Sequence, residues 1–206
     1  IILVQLKEMF ETKKVFKFTI LMFILYVSNF YMAFMICLFL VILLICSVIF
    51  DKESRVELKE KIKLFSISIG ISVLLFGFVM MPVLCELKES YLNSNLNLGS
   101  NTLSIAEILA KFFVFSYDTF FSIRYSIQMS PYIYFGLFPF ILSLVYLLFD
   151  KIDVKKKILI TTSVIIFCSF IFNELNIVWH GFDAPTGFNY RYSFLLSFIG
   201  LIMACE

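Results

Sequence analysis

The stretch FTILMFILYVSNFYMAFMICLFLVILLICSVIF, residues 18–50, carries no charged side chain over 33 positions. As one helix it would be about 50 Å long, against a bilayer hydrocarbon core of about 30 Å. A single tilted span does not absorb that excess, so the run reads as two helices joined by a tight turn. Ser28 and Asn29 supply the turn: they are the polar interruption near the middle, and both residue types favour turns and helix starts. Lys13, Lys14 and Lys17 then snorkel at the entrance to the first helix.

The rest of the composition agrees with that reading. Of 206 residues, 61% are hydrophobic, 18% aromatic and only 16% charged, whereas soluble domains run at about 45–50% apolar and about 25% charged. The chain belongs to the multi-pass membrane class, with the bilayer itself as a partner. A net charge of +2 offers no basic surface, so no nucleic-acid partner is expected. Cys37, Cys46, Cys168 and Cys205 lie in apolar runs, Cys85 has no evident partner, and no Cys-x-x-Cys pair occurs, so neither a disulfide framework nor a zinc site is indicated. No phosphate-binding glycine loop and no His-Glu-x-x-His is present, and no cofactor is expected. The sequence opens at Ile1 without an initiator methionine or a signal peptide, and it reads as an internal piece of a longer polytopic protein.

Further apolar runs complete the set. Leu64 to Cys85 gives a third span, with Gly70 and Gly77 inside it and Pro82 near its exit. Pro131 to Phe149 gives a fourth, with Ser130 as N-cap and Pro131 as the first helical residue. The expected fold class is an all-α membrane protein, a polytopic helical bundle forming one domain over 1–206. It has five complete transmembrane helices (about 15–28, 29–50, 64–85, 131–149 and 158–173) and the start of a sixth (192–206). Lys and Arg flanking spans are retained on the cytoplasmic side. Placing 1–17, 51–63 and 150–157 there collects thirteen of the 17 basic residues. Two structured loops, 86–130 and 174–191, then face outward. Within the first, Leu103 to Phe115 reads as an amphipathic helix with capping-box spacing from Ser104 to Glu107, lying in the membrane interface or packed on the bundle. Asp118 and Arg124 follow it and could face the same cleft as the second loop.

The densest polar and aromatic stretch is NELNIVWHGFDAPTGFNYRYSF, residues 173–194. Gly181, Pro185 and Gly187 mark turns in it. Trp179, Tyr190 and Tyr192 fit an interfacial aromatic belt, or a ring on which the apolar face of a sugar packs. Arg191 can snorkel to lipid phosphates, and its planar fork equally suits the phosphate of a lipid-linked substrate. His180 reads as a hydrogen-bonded loop residue, or as an acid, base or phosphate donor. Glu174 and Asp183 are exposed loop acids that can also bind sugar hydroxyls. Together these residues suit an extracytoplasmic site for a lipid headgroup.

The run WHGFDAPTGFNYRYSFLLSF, from Trp179 to Phe198, resembles the loop-to-helix segment of the bacterial YfhO family. SNFYMAFMICLF, from Ser28 to Phe39, is similar to that family's Asn-Phe-Tyr turn, and SPYIYFGLFPFILSLVYLL, from Ser130 to Leu148, is similar to its Pro-Tyr-Gly span start. The resemblance implies a GT-C-like glycosyltransferase that moves a sugar from a polyprenyl-phosphate donor to a cell-surface polymer such as teichoic acid, outside the membrane. It places the catalytic acid in a first external loop upstream, so no catalytic residue is expected in this piece. Arg191 and His180 would contact the phosphate, and Trp179, Asp183, Tyr192 and Glu174 complete the expected substrate contacts. A transporter or flippase for lipid-linked precursors, or a non-catalytic scaffold for envelope synthesis, are the competing readings. Against transport, the spans carry almost no ionisable residues.

Overall fold

The computed structural model describes residues 1–51, 55–91, 105–112, 131–149, 151–182 and 190–206, without the side chains of 82–91 and 107. Among the described residues every regular element is a helix: α1 (Ile2–Thr12), α2 (Phe16–Ser28), α3 (Phe30–Phe50), α4 (Leu58–Tyr91), α5 (Ile105–Ala110), α6 (Leu137–Phe149), α7 (Val154–Ile171), α8 (Asn173–Trp179) and α9 (Ser193–Cys205). Two of these are long and apolar enough to cross a membrane: α3, with mean hydropathy 3.2, and Leu58–Met81 within α4, with mean hydropathy 2.3. α7 and α8 make a third if their 109° bend is a break within one span, and α2, α6 and α9 are shorter apolar helices.

The division of the long apolar run falls at Asn29. Its backbone is extended (φ −162°, ψ 95°), its N–H donates to the Leu25 carbonyl at the end of α2, and its Oδ1 accepts from the Met32 N–H at the start of α3. One residue therefore satisfies an orphan group at each of two helix ends.

Several expected boundaries change, and α4 already starts at Leu58 where its span was expected from Leu64. α4 continues through Pro82 to Tyr91, so residues 86–91 belong to a helix and not to a loop. The expected span at 158–173 becomes α7 plus the bent-off α8. The span expected to start at Pro131 starts at Leu137, and residues 131–136 are non-helical. The second proline explains this last shift. Pro139 has no N–H and its ring excludes the carbonyl four residues back, so it fits only the first turn of a helix. There it is preceded by Gly136, which takes φ +107° and whose carbonyl accepts the Phe140 N–H. A Cβ at Gly136 would stand 3.2 Å from the Pro139 ring. Ser130, Ser104, Asp118 and Arg124 lie outside the described residues, as does the Glu107 side chain. Of the amphipathic stretch, α5 covers Ile105–Ala110.

The chain divides into two compact units, Ile1–Cys37 with Asp51–Leu96, and Leu38–Phe50 with Asn97–Glu206. In the first, α1 buries Leu6 and Met9, and α2 buries Phe18 and Met22. α4 meets both through small residues: the Ser68 hydroxyl donates to Met9 Sδ at 3.1 Å, and Ser72 donates to the Thr19 carbonyl at 2.9 Å. Small hydroxyl residues let helices approach closely where lipid offers no hydrophobic drive between them. At the charged end, Lys17 donates to Glu8 and holds its carboxyl below the usual range, while Glu60, 2.8 Å from Lys13, raises the lysine. These pairs are open to solvent and orient α1 more than they stabilise it.

In the second unit one face of α7 is buried along its length, through Lys156, Leu159, Thr162, Ile166, Ser169 and Phe170. Thr162 Oγ1 donates to Cys46 Sγ, 3.7 Å away on the later part of α3. α9 packs beside α6 and α7, burying Leu195, Leu196, Ile199 and Met203. Gly200 is required there, because a Cβ would lie 2.4 Å from the Phe135 ring. Gly200→Ala gains about 1 kcal/mol of helix propensity but incurs an overpacking cost of about 1–3 kcal/mol. A net destabilisation of about 1 kcal/mol is expected. It grows for Gly200→Leu, and thermal unfolding in detergent checks both; an unchanged midpoint for Gly200→Leu would mean that Phe135 does not pack there.

Candidate functional site

The site grows from the sharp turn between α7 and α8. At Phe172 the backbone becomes extended (φ −95°, ψ 115°), its N–H caps the Cys168 carbonyl, and α8 leaves at 109°. That break removes the helical partner of the Ser169 carbonyl, which now accepts the Tyr192 hydroxyl at 2.6 Å. The Ser169 hydroxyl accepts the Trp179 Nε1–H at 3.0 Å and donates to the Ile165 carbonyl at 2.9 Å. One serine on α7 thus ties down the end of α8 and the entrance to α9. A helix break in an apolar setting is tolerated when the freed backbone groups find such partners.

Aromatic stacking fills the same space. Tyr192 lies between Phe170 (centroids 5.2 Å apart, planes 12°) and Trp179 (5.0 Å, 13°). Tyr190 meets Phe170 and Tyr192 edge-on, and His180 meets Tyr192 edge-on. Trp179, His180, Tyr190 and Tyr192 are all buried, Tyr192 completely.

α8 ends in a Schellman arrangement. The Phe182 N–H donates to the Ile177 carbonyl and the Gly181 N–H to the Val178 carbonyl, with Gly181 in the left-handed region at φ 72°. Glycine is the residue that takes this conformation without strain. His180 Nδ1 lies 2.8 Å from the Asn176 carbonyl, and since a carbonyl only accepts, Nδ1 carries the proton and donates.

The expected site residues therefore separate into two settings. Trp179, His180 and Tyr192 come together in the buried cluster, with Tyr190. Trp179 and Tyr192, expected to serve as belt rings or as a sugar platform, are instead stacked on each other beneath their neighbours, and neither turns an open face outward. Arg191 is exposed in the turn that leads into α9, adjacent to the most deeply buried residue of the cluster. Glu174 is exposed in the first turn of α8, where a carboxylate complements the positive helix end. Asp183 lies outside the described residues. Sequence reasoning missed Ser169, Phe170 and Asn176. Asn176 is buried, and its Oδ1 has no hydrogen-bond partner among the described residues. The first two carried a legible signal, because they continue the 156, 159, 162, 166 spacing that marks the inner face of α7. Among the described residues no group of His, Cys, Asp and Glu is placed to hold a metal ion.

Chemically, the arrangement sets an exposed arginine at the start of α9, next in sequence to a buried aromatic cluster. No curated protein and no solved structure matches the chain. The family model of the bacterial membrane protein YfhO matches residues 1–206. Matched over its full length, the chain, an apolar assembly of helices, belongs to the YfhO family of bacterial membrane proteins.

Proposed function

We propose that this chain is part of a GT-C-like membrane glycosyltransferase, one that transfers a sugar from a polyprenyl-phosphate donor to a cell-surface polymer of the teichoic-acid type. The chain then crosses the bilayer five times in full and begins a sixth crossing, with 174–191 on the outer side. The observation that carries this reading is the setting of Arg191: an exposed arginine beside Tyr192, which the Ser169 anchor holds, at the entrance to an apolar helix. A lipid-linked phosphate needs a cation at that boundary, and arginine meets phosphate oxygens with two parallel hydrogen bonds.

In the transfer step, a carboxylate supplied upstream removes the proton of the acceptor hydroxyl. That oxygen bonds to the anomeric carbon, and the bond from this carbon to the phosphate oxygen breaks. The polyprenyl phosphate leaves with the electron pair, and Arg191 stabilises the negative charge gathering on it. His180, buried with its Nδ1 proton on the Asn176 carbonyl, steadies the turn rather than meeting the phosphate, while Asp183 and Glu174 bind sugar hydroxyls. Trp179 and Tyr192 act from beneath, by fixing the turn.

Envelope polymers of cells with and without the full-length gene should differ in covalently attached sugar. Identical sugar content would overturn the reading. Its topology is tested separately with Asp183→Cys: an impermeant thiol reagent should label intact cells. Labelling only after lysis would place the loop inside and remove the donor contact.

A further inference from the structure

The second unit holds a partly open cavity of about 580 Å³ between α5, α6, α7 and α9, a size within the range of about 300–1,000 Å³ typical of ligand sites. Its wall includes Phe140, Leu144, Val164, Phe167, Leu196 and Met203, and its polar lining residues are Ser143 and Ser163. The Ser143 hydroxyl already donates to the Phe140 carbonyl at 2.7 Å. Ordered water needs two to four polar partners, and this lining does not provide them. Such a lining suits a hydrocarbon chain.

Charge at one end says which hydrocarbon. Ile160, Ser163, Val164 and Phe167 of α7 line the cavity, and Lys157 precedes Ile160 by three residues and Val164 by seven, which is the same helix face. Of the neighbouring lysines, Lys155 is paired with Glu206, and Lys156 is buried with its ammonium on the Tyr146 carbonyl at 2.8 Å. Lys157 is exposed and has no ion pair among the described residues. Basic groups above a cleft between membrane helices are the usual recognition element for anionic lipid headgroups. We infer that this cavity holds one acyl chain of an anionic bilayer phospholipid, its phosphate set against Lys157. The headgroup end, at Lys157, lies at the far end of α7 from Ser169, and the inference does not depend on glycosyl transfer.

The test uses the full chain in vesicles containing phosphatidylglycerol with a photoactivatable acyl chain, and the labelled peptides are mapped by mass spectrometry. Label is expected in residues 137–149 and 158–167. It should fall about fivefold with a phosphatidylcholine probe or in Lys157→Gln, the factor expected for one lysine near an anionic surface. Ser163→Trp, which fills the cavity, should abolish it. Unlabelled cavity peptides in the wild-type chain would mean that another part of the protein covers the cavity, and would overturn the inference. So would equal labelling by the two headgroups, or displacement of the label by an isoprenoid phosphate but not by unlabelled phosphatidylglycerol. Wild-type peptide mapping and the headgroup comparison decide the matter even if Ser163→Trp does not fold.

Discussion

Tyr192→Ala should destabilise the protein by about 3–5 kcal/mol, the usual range for removing a buried aromatic ring. Tyr192 is fully buried between the rings of Phe170 and Trp179, so its loss opens a gap with unsupported aromatic faces on both sides. Lipid outside the bundle weakens the ordinary hydrophobic argument, because a side chain there is not exposed to water. The cavity and the lost contacts remain, since the interior is close-packed whatever surrounds it. Tyr192→Phe separates the two contributions. It keeps the stack and removes the hydroxyl, leaving the Ser169 carbonyl without its donor, at about 1–3 kcal/mol. Thermal unfolding of the full-length protein in detergent should rank Ala below Phe below wild type. If Phe equals wild type, the hydroxyl does not cap α7, and the account of the bend fails.

Arg191→Lys should lower sugar transfer by about 10- to 100-fold at normal membrane abundance, the factor expected when one hydrogen bond to a charged group is lost. Lysine preserves the charge but presents a point where arginine presents a fork. The loss should appear mainly in kcat, because charge builds on the leaving phosphate during the transfer. The residue is exposed, so its replacement should leave the unfolding midpoint of the protein almost unchanged. That contrast with Tyr192 distinguishes the group that would meet substrate from the ring that supports it. Wild-type transfer by the lysine variant would remove Arg191 from the phosphate contact.

The sequence was most informative where a structural device is local. The break at Asn29 follows from chain length against bilayer thickness and from an amide side chain that suits helix ends. The turn at Gly181 follows from a glycine placed where a helix needs a left-handed residue. The start of α6 was misassigned although its cause was also local: of two prolines eight residues apart, the later one limits the helix, because it forbids a partner four residues upstream. The anchor on Ser169 could not be read in this way. Its two partners lie ten and 23 residues further on, and nothing in local spacing says that one donates to the hydroxyl and the other to the backbone carbonyl. Trp179 and Tyr192 were legible as a pair of unusual aromatics, but whether such rings face a ligand or each other is decided by the fold.

The non-helical residues 131–136 bear on how depth is reckoned in this protein. Ile133 is fully buried, and its carbonyl accepts the Ser197 hydroxyl at 2.8 Å, so one side of this stretch is held against α9 although it lacks helical hydrogen bonds. Six residues cover about 20 Å when fully extended and about 9 Å when coiled. The 19 residues from Pro131 to Phe149 thus have a contour of up to about 40 Å, where a uniform coil would give about 28 Å. Hydropathy windows tally side chains and assume a fixed rise for each, so here they locate the greasy segment correctly and understate its reach.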